Sequence, residues 1–271
     1  IAVYAPGFED AANVAIAELN DNWEGNVFEL VVIDSGCDGT QAATAAQTLI
    51  DSGVVGIVGA ACSGATLGAI AVAAEAGIPM VSYASTSPAV TTASDNGYLF
   101  RVVPSDAQQA IALAVVVAAV GDSNPAVLYM TNDYGSGLAD NFAVNWSDDV
   151  CTTNAYDPTE GSYDASTIAQ SVIDAGCDSA VLISYATDGA AIIEALKGQG
   201  FSGTIYGADG IADAAFADAF TDAAAVAGVI ATKPRPGAES SAQSTFNSAY
   251  SAAGGDAEGI YTHEPYDAVK I

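Results

Sequence analysis

The sequence predicts an α/β protein of two lobes, each built on a parallel sheet, and three observations lead there. Short runs rich in Val and Ile alternate with Ala-rich stretches of helical length, as βαβ units require. The rhythm runs to Tyr83, is interrupted, and restarts at Ser105. A length of 271 residues suits about two domains.

Taken in order, a first helix ends near Asn20, and Val27 to Ile33 reads as a strand because β-branched residues dominate it. Thr40 to Ser52 is a helix, Val54 to Val58 a strand, Ala65 to Ala76 a helix and Pro79 to Tyr83 a strand. The second series has helix Ala107 to Val120, strand Ala126 to Met130, helix Gly137 to Trp146, a strand near Val150, helix Ser166 to Ala175 and strand Ala180 to Ser184. It continues through helix Gly189 to Gln199, strand Thr204 to Gly207, a helical stretch Asp213 to Phe220 and Val229 to Thr232, before a Pro and Gly break. A last helix is expected over Pro265 to Ile271.

Tyr98 to Pro104 and Val229 to Pro236 read as extended crossings between the two rhythms. Two crossings make the lobes non-contiguous: 1–103 with 235–271, and 104–234. Such lobes can open and shut about their connecting strands, which is a hinge.

Charge removes several classes of function. Lys and Arg number 5 against 33 Asp and Glu, and a formal charge of -28 repels nucleic acids and anionic lipid headgroups. The acidity is dispersed, as on a solvated surface; a cation-attracting cleft is the alternative. The longest apolar stretches, such as Ile111 to Val120, fall short of the ~20 residues that span a bilayer. No signal or lipoprotein segment precedes Ile1, and the chain opens and closes in mid-pattern, which reads as a trimmed sequence.

The four cysteines fall as Cys37 with Cys62 and Cys151 with Cys177, with no C-x-x-C and His263 as the one histidine. Two disulfides suit this better than a metal site, each tying one strand's end to a position near the next strand, and they demand an oxidising compartment. A periplasmic or extracellular location follows as the expectation. No metal or cofactor is implied.

Ligands of open parallel sheets bind beyond the carboxyl ends of the strands. After Val54 to Val58 comes Cys62-Ser63-Gly64-Ala65-Thr66, where Ser63 near a helix N-terminus either seats an anion or caps its own helix. After Pro79 to Tyr83 comes Ala84-Ser85-Thr86-Ser87-Pro88, hydroxyls and carbonyls suited to a zwitterion, or an ordinary polar turn. Tyr185 and Asp209 end two strands of the second lobe, and Asp209 is the candidate ammonium partner.

These segments together resemble the leucine/isoleucine/valine-binding family of type I periplasmic binding proteins, over nearly the whole chain. Asp34 to Gln41 (DSGCDGTQ), the turn Gly59 to Ser63, Ser82 to Pro88 (SYASTSP), Tyr98 to Arg101 (YLFR), Asp133 to Leu138 (DYGSGL), Tyr185 and Gly207-Ala208-Asp209-Gly210 carry the likeness in order and spacing. The resemblance implies two Rossmann-like lobes joined by a hinge, here lacking the family's first strand and its C-terminal part.

It also implies a monomeric, non-enzymatic receptor that captures a small amino acid, branched-chain as the first expectation, and hands it to the membrane permease of an ABC transporter. Ser63 and Thr86 would hold the carboxylate. The Ala84 carbonyl, the Thr86 hydroxyl and Asp209 would hold the ammonium, with Ser85 in the same loop. Tyr134 and Tyr185 would close the second lobe, and Tyr4 would flank the ligand side chain. The family usually has Glu in place of Asp209, so that contact is one methylene shorter. Tyr266 and His263 fall in a segment whose counterpart walls the pocket, although Tyr266 is expected to pack within its own helix.

A hydrolase reading lacks a G-x-S-x-G elbow and has one histidine to serve as base. Nucleotide binding lacks both G-x-G-x-x-G and the P-loop pattern. The surviving alternatives are a ligand-sensing ectodomain and a receptor for an amide, a urea-like compound or an aromatic acid.

Overall fold

The computed structural model describes residues 4–23, 27–235, 237 and 240–271. The chain divides into two compact units, Ile1–Pro104 with Arg235–Ile271, and Ser105–Pro234. Pro236, at the end of the expected second crossing, lies outside the described residues.

In unit 1, helices α1 (Ala5–Asn22), α2 (Gly39–Asp51), α3 (Ser63–Ala76) and the short α4 (Pro88–Thr91) accompany a parallel sheet of β1 (Ile57–Val58), β2 (Met80–Ser82) and β3 (Leu99–Arg101), in that order. Asp38 caps α2 by accepting from Gln41 N–H, and Gly77 ends α3 in the left-handed conformation. Helices α2 and α3 lie backbone to backbone: a Cβ on Gly68 would stand 2.1 Å from the Gly39 carbonyl oxygen, so only glycine permits the approach. The Cys37–Cys62 disulfide closes the same corner, with Cα atoms 5.3 Å apart.

The expected strand Val27 to Ile33 is not formed. Its residues form no strand pairing with the other described residues, and Val27, Val31 and Val32 stand exposed. Asn20 holds the segment instead, its side chain accepting from Phe28 N–H at 2.7 Å and donating to Phe28 C=O at 3.0 Å. Among the described residues no strand lies between this segment and β1. A cavity of about 560 Å³ occupies that position, lined by Val31, Ile33, Val58, Ala60, Met80 and Tyr83 among others. A strand exists only by pairing, so β-propensity alone could not supply it.

α9 (Ser241–Ala252) and α10 (Glu264–Lys270) complete unit 1. Tyr266 packs against two other helices and not within its own: its ring lies 4.8 Å from that of Phe246 on α9, and its hydroxyl donates to Glu18 on α1. Lys270 reaches the same Glu18 carboxylate at 2.9 Å. His263 is likewise internal, with Nε2 2.8 Å from Asn247 Oδ1 and its ring 5.0 Å from that of Phe246.

Unit 2 holds a five-stranded parallel sheet of β4 (Pro125–Met130), β5 (Thr152–Tyr156), β6 (Ser179–Ile183), β7 (Thr204–Gly207) and β8 (Val229–Ala231), in the order β5-β4-β6-β7-β8. Its helices are α5 (Asp106–Val120), α6 (Asp133–Asn145), α7 (Ala165–Ala175) and α8 (Ala186–Gly198). The central β6 is buried at every residue, as a strand covered on both faces must be. Leu128, Leu182, Ile183, Leu138, Phe142 and Ile193 fill the core around it. Asp213 to Phe220 forms a 3-10 turn over Ala214–Ala219 in place of a regular helix. Asp213 takes the Ala215 N–H and Asp222 the Ala224 N–H, local bonds that favour turns over helix.

Asp178, just before β6, gives a pH test of this unit. Burial alone would raise its pKa. The N–H groups of Ser123 and Asn124, each 3.0 Å from Oδ2, and the hydroxyls of Ser179 and Ser123 outweigh that and hold it below the usual carboxylate range. A depressed folded pKa stabilises the fold above the unfolded value and ceases to as pH falls through the folded one. Urea unfolding should therefore show Asp178→Ala weaker by about 1 kcal/mol at neutral pH after solvent screening, with the gap narrowing in strong acid. An equal gap at both pH values would contradict this.

Candidate functional site

The polar loops after β1 and β2 interlock in unit 1. Ser82 Oγ donates to the Ala60 carbonyl at 2.7 Å and accepts from Ser85 N–H at 3.1 Å. Ser85 Oγ lies 2.7 Å from Thr66 Oγ1 and donates to the same Ala60 carbonyl at 3.0 Å. Arg101, on β3, donates from Nη1 to the carbonyls of Ser85, Thr86 and Ser87 at 3.2, 3.0 and 2.9 Å. Ser85 thus has its N–H, hydroxyl and carbonyl all committed inside the unit. These bonds fix the shape of the loop that also carries Ala84 and Thr86.

Ser63 is the first residue of α3, 2% exposed, and does not cap that helix. Its oxygen instead accepts the Ser87 N–H at 3.2 Å, which leaves the hydroxyl proton to donate. Thr86 is 1% exposed, and its Oγ1 is buried with no hydrogen-bond partner among the described residues. A hydroxyl taken from water without a partner costs about 1–3 kcal/mol, so native proteins keep few of them. Ala84 is buried in the same loop, ahead of the three residues whose carbonyls Arg101 takes. Ser63 and Thr86 thus each hold a hydroxyl in this loop region, beside the buried Ala84. Tyr4 is buried at the N-terminus of α1, one turn before Phe8, whose ring lies 5.1 Å from that of Tyr83.

Unit 2 gathers a second set at the carboxyl ends of β6 and β7. The Tyr134 hydroxyl donates to Asp209 Oδ1 at 2.8 Å and accepts from Gly210 N–H at 3.1 Å. The Tyr134 and Tyr185 rings stack, centroids 5.4 Å apart and 8° from parallel. Gly210 is required here: a Cβ would stand 2.4 Å from the Ser184 carbonyl oxygen. Asp188, at the start of α8, accepts from Tyr156 Oη at 2.6 Å and from Tyr185 N–H at 3.4 Å, anchoring the residue that carries the stacked ring.

Burial, then the charges of Asp209 and Asp106, push the Tyr134 hydroxyl well above its ordinary pKa. Burial and the charges of Asp209, Asp188 and Asp106 do the same to Tyr185. Both remain protonated donors at neutral pH. Asp106, fully buried at the first position of α5, was not singled out by sequence; in a chain with so many acids nothing distinguished it except its place behind Ser105, the cap of an apolar helix. Asp209 is 3% exposed, so two buried carboxylates act on one pair of tyrosines.

Two parallel α/β units, with polar seats where their strands end, define the class: the fold is that of the type I periplasmic binding proteins. The profile described as "Receptor family ligand binding region" matches residues 8–271, and the chain belongs to that family. Among curated relatives, a leucine-, isoleucine-, valine-, threonine- and alanine-binding protein of Pseudomonas aeruginosa is 24% identical, over 100% of this chain and 73% of its own length. The Leu/Ile/Val-binding protein of Escherichia coli is 24% identical over 87% of this chain and 64% of its own length. Among solved structures, the leucine-binding protein LivK of Thermotoga maritima is 26% identical with a TM-score of 0.87, covering 99% of this chain and 77% of its own. The substrate-binding protein LivJ of Streptococcus pneumoniae, in complex with isoleucine, is 25% identical with a TM-score of 0.85, covering 98% and 77%. The chain thus spans roughly two thirds to three quarters of these relatives.

Proposed function

We propose that this chain is the ligand-capturing part of a solute-binding receptor of an ABC importer, and that it takes a small α-amino acid, with leucine, isoleucine and valine the first to test. The observation that carries the reading is the Thr86 hydroxyl, buried without a partner among the described residues in the loop whose Ser87 N–H meets Ser63. On this reading the carboxylate takes the Ser63 and Thr86 donors, and the ammonium takes the Ala84 carbonyl and Asp209. Binding needs no bond to be made or broken. Relatives that bind branched-chain amino acids support the ligand class, and two disulfides support a periplasmic or extracellular setting beside a membrane permease.

Thr86→Val separates a ligand hydroxyl from a structural one. Val keeps the shape and removes a buried hydroxyl that bonds none of the described residues, so the melting temperature should hold or rise. Calorimetric affinity for the best branched-chain amino acid should fall about tenfold, the worth of one hydrogen bond to a charged group. Lower stability with unchanged affinity would overturn the assignment.

A further inference from the structure

Arg101 bonds the loop it faces in a way that bears on recognition. Three successive carbonyls, from Ser85, Thr86 and Ser87, converge on one guanidinium nitrogen, while Nη2 reaches Thr91 Oγ1 at 2.5 Å. A trans peptide is planar, with C=O and the next N–H on opposite edges. Drawing the Ser85 and Thr86 carbonyls toward β3 therefore turns the N–H groups of Thr86 and Ser87 the other way. The Ser87 N–H shows where that is: it meets Ser63 Oγ at 3.2 Å. The Thr86 N–H is directed to the same side, and among the described residues no acceptor takes it. Successive N–H groups turned to one side form an anion-binding concavity. With three carbonyls held by Arg101, Ala84 has the carbonyl of this loop left for an ammonium.

We infer that Arg101 is a positioning residue for amino-acid recognition: from behind the loop it turns the Thr86 N–H and hydroxyl toward the Ser63 seat and leaves the Ala84 carbonyl for the ligand ammonium. This rests on the proposed function for its ligand, though not for the clamp itself. Its charge also lies behind the carboxylate seat, but that attraction acts equally on any carboxylate. The orienting effect does not, because it decides whether an ammonium is rewarded.

The test uses the whole, oxidised protein as wild type, Arg101→Lys and Arg101→Met. In the ligand-free proteins, amide hydrogen exchange at Thr86 and Ser87 should be at least tenfold faster in Arg101→Met, with β6 protection unchanged; Arg101→Lys should fall between. With ligands, affinities for leucine and for its 2-hydroxy analogue, which keeps the carboxylate and lacks the ammonium, give a ratio. That ratio should drop at least tenfold in Arg101→Met and recover in part in Arg101→Lys. Equal loss for both acids, with unchanged exchange, would show a charge acting at a distance and overturn the inference. If the wild type binds neither acid, the proposed ligand fails, and the exchange arm alone still upholds or overturns the clamp.

Discussion

Asp209→Asn should weaken binding of a branched-chain amino acid by at least tenfold while leaving the protein folded and nearly as stable. Asn keeps the shape and an oxygen that can accept from Tyr134, which donates to Asp209 at 2.8 Å in the wild type, so the contact inside unit 2 survives. What disappears is the negative charge that answers an ammonium. A charge-assisted hydrogen bond contributes roughly 1.5–3 kcal/mol, about ten- to a hundredfold in affinity. Stability should change little, because the Tyr134 hydroxyl keeps an acceptor in the Asn side chain. Titration calorimetry and thermal unfolding of the same samples separate the two effects. Unchanged affinity would remove Asp209 from the site. Asp209→Glu, which lengthens the arm by one methylene, should keep most of the affinity and test whether the shorter residue limits the contact.

Most of this fold could be read before the structure, because each signal was local. Ala-rich stretches opened by Asp38, Ser105 or Asp164 became helices, and these side chains accept from the first-turn N–H groups. Failures came where a neighbour decides the outcome. Val27 to Ile33 has the composition of a strand but pairs with none of the described residues. Ser241–Ala252 is a helix that went unread because its Ser-rich sequence shows only Phe246 and Tyr250 on its buried face, four residues apart. The seat divides the same way. Ser63, Ala84, Thr86, Tyr134, Tyr185 and Asp209 were singled out by strand ends and by resemblance, and the structure puts each where a β-strand gives way to a loop or helix. Which hydroxyl of Ser85 and Thr86 turns inward was not legible, since Thr66, Ser82 and Arg101 decide it from elsewhere in the chain. Arg101 was seen only as part of a crossing.

The two disulfides should differ in what their loss does. Cys37–Cys62 and Cys151–Cys177 enclose loops of nearly equal length, with sequence separations of 25 and 26. Chain entropy alone therefore assigns each about 3.5 kcal/mol, or about 10 °C in the melting temperature of a unit this size. Their positions are unlike. Cys62 immediately precedes Ser63 and is the N-cap of α3, so its bridge fixes the first residue of the seat as well as the α2–α3 corner. Cys151 and Cys177 lie just before β5 and β6, at the strand ends opposite Tyr185. The double variant Cys151→Ser with Cys177→Ser should lose stability and keep its affinity at temperatures where it stays folded. Cys37→Ser with Cys62→Ser should lose a comparable amount of stability and also bind several-fold more weakly, because Ser63 and the Ser87 N–H that it receives are no longer held from that side. Unfolding curves and calorimetry on both variants decide it. Equal affinity losses would mean that the first bridge staples the fold without shaping the seat, and the seat's order would then rest on the hydrogen bonds of Arg101, Ser82 and Thr66.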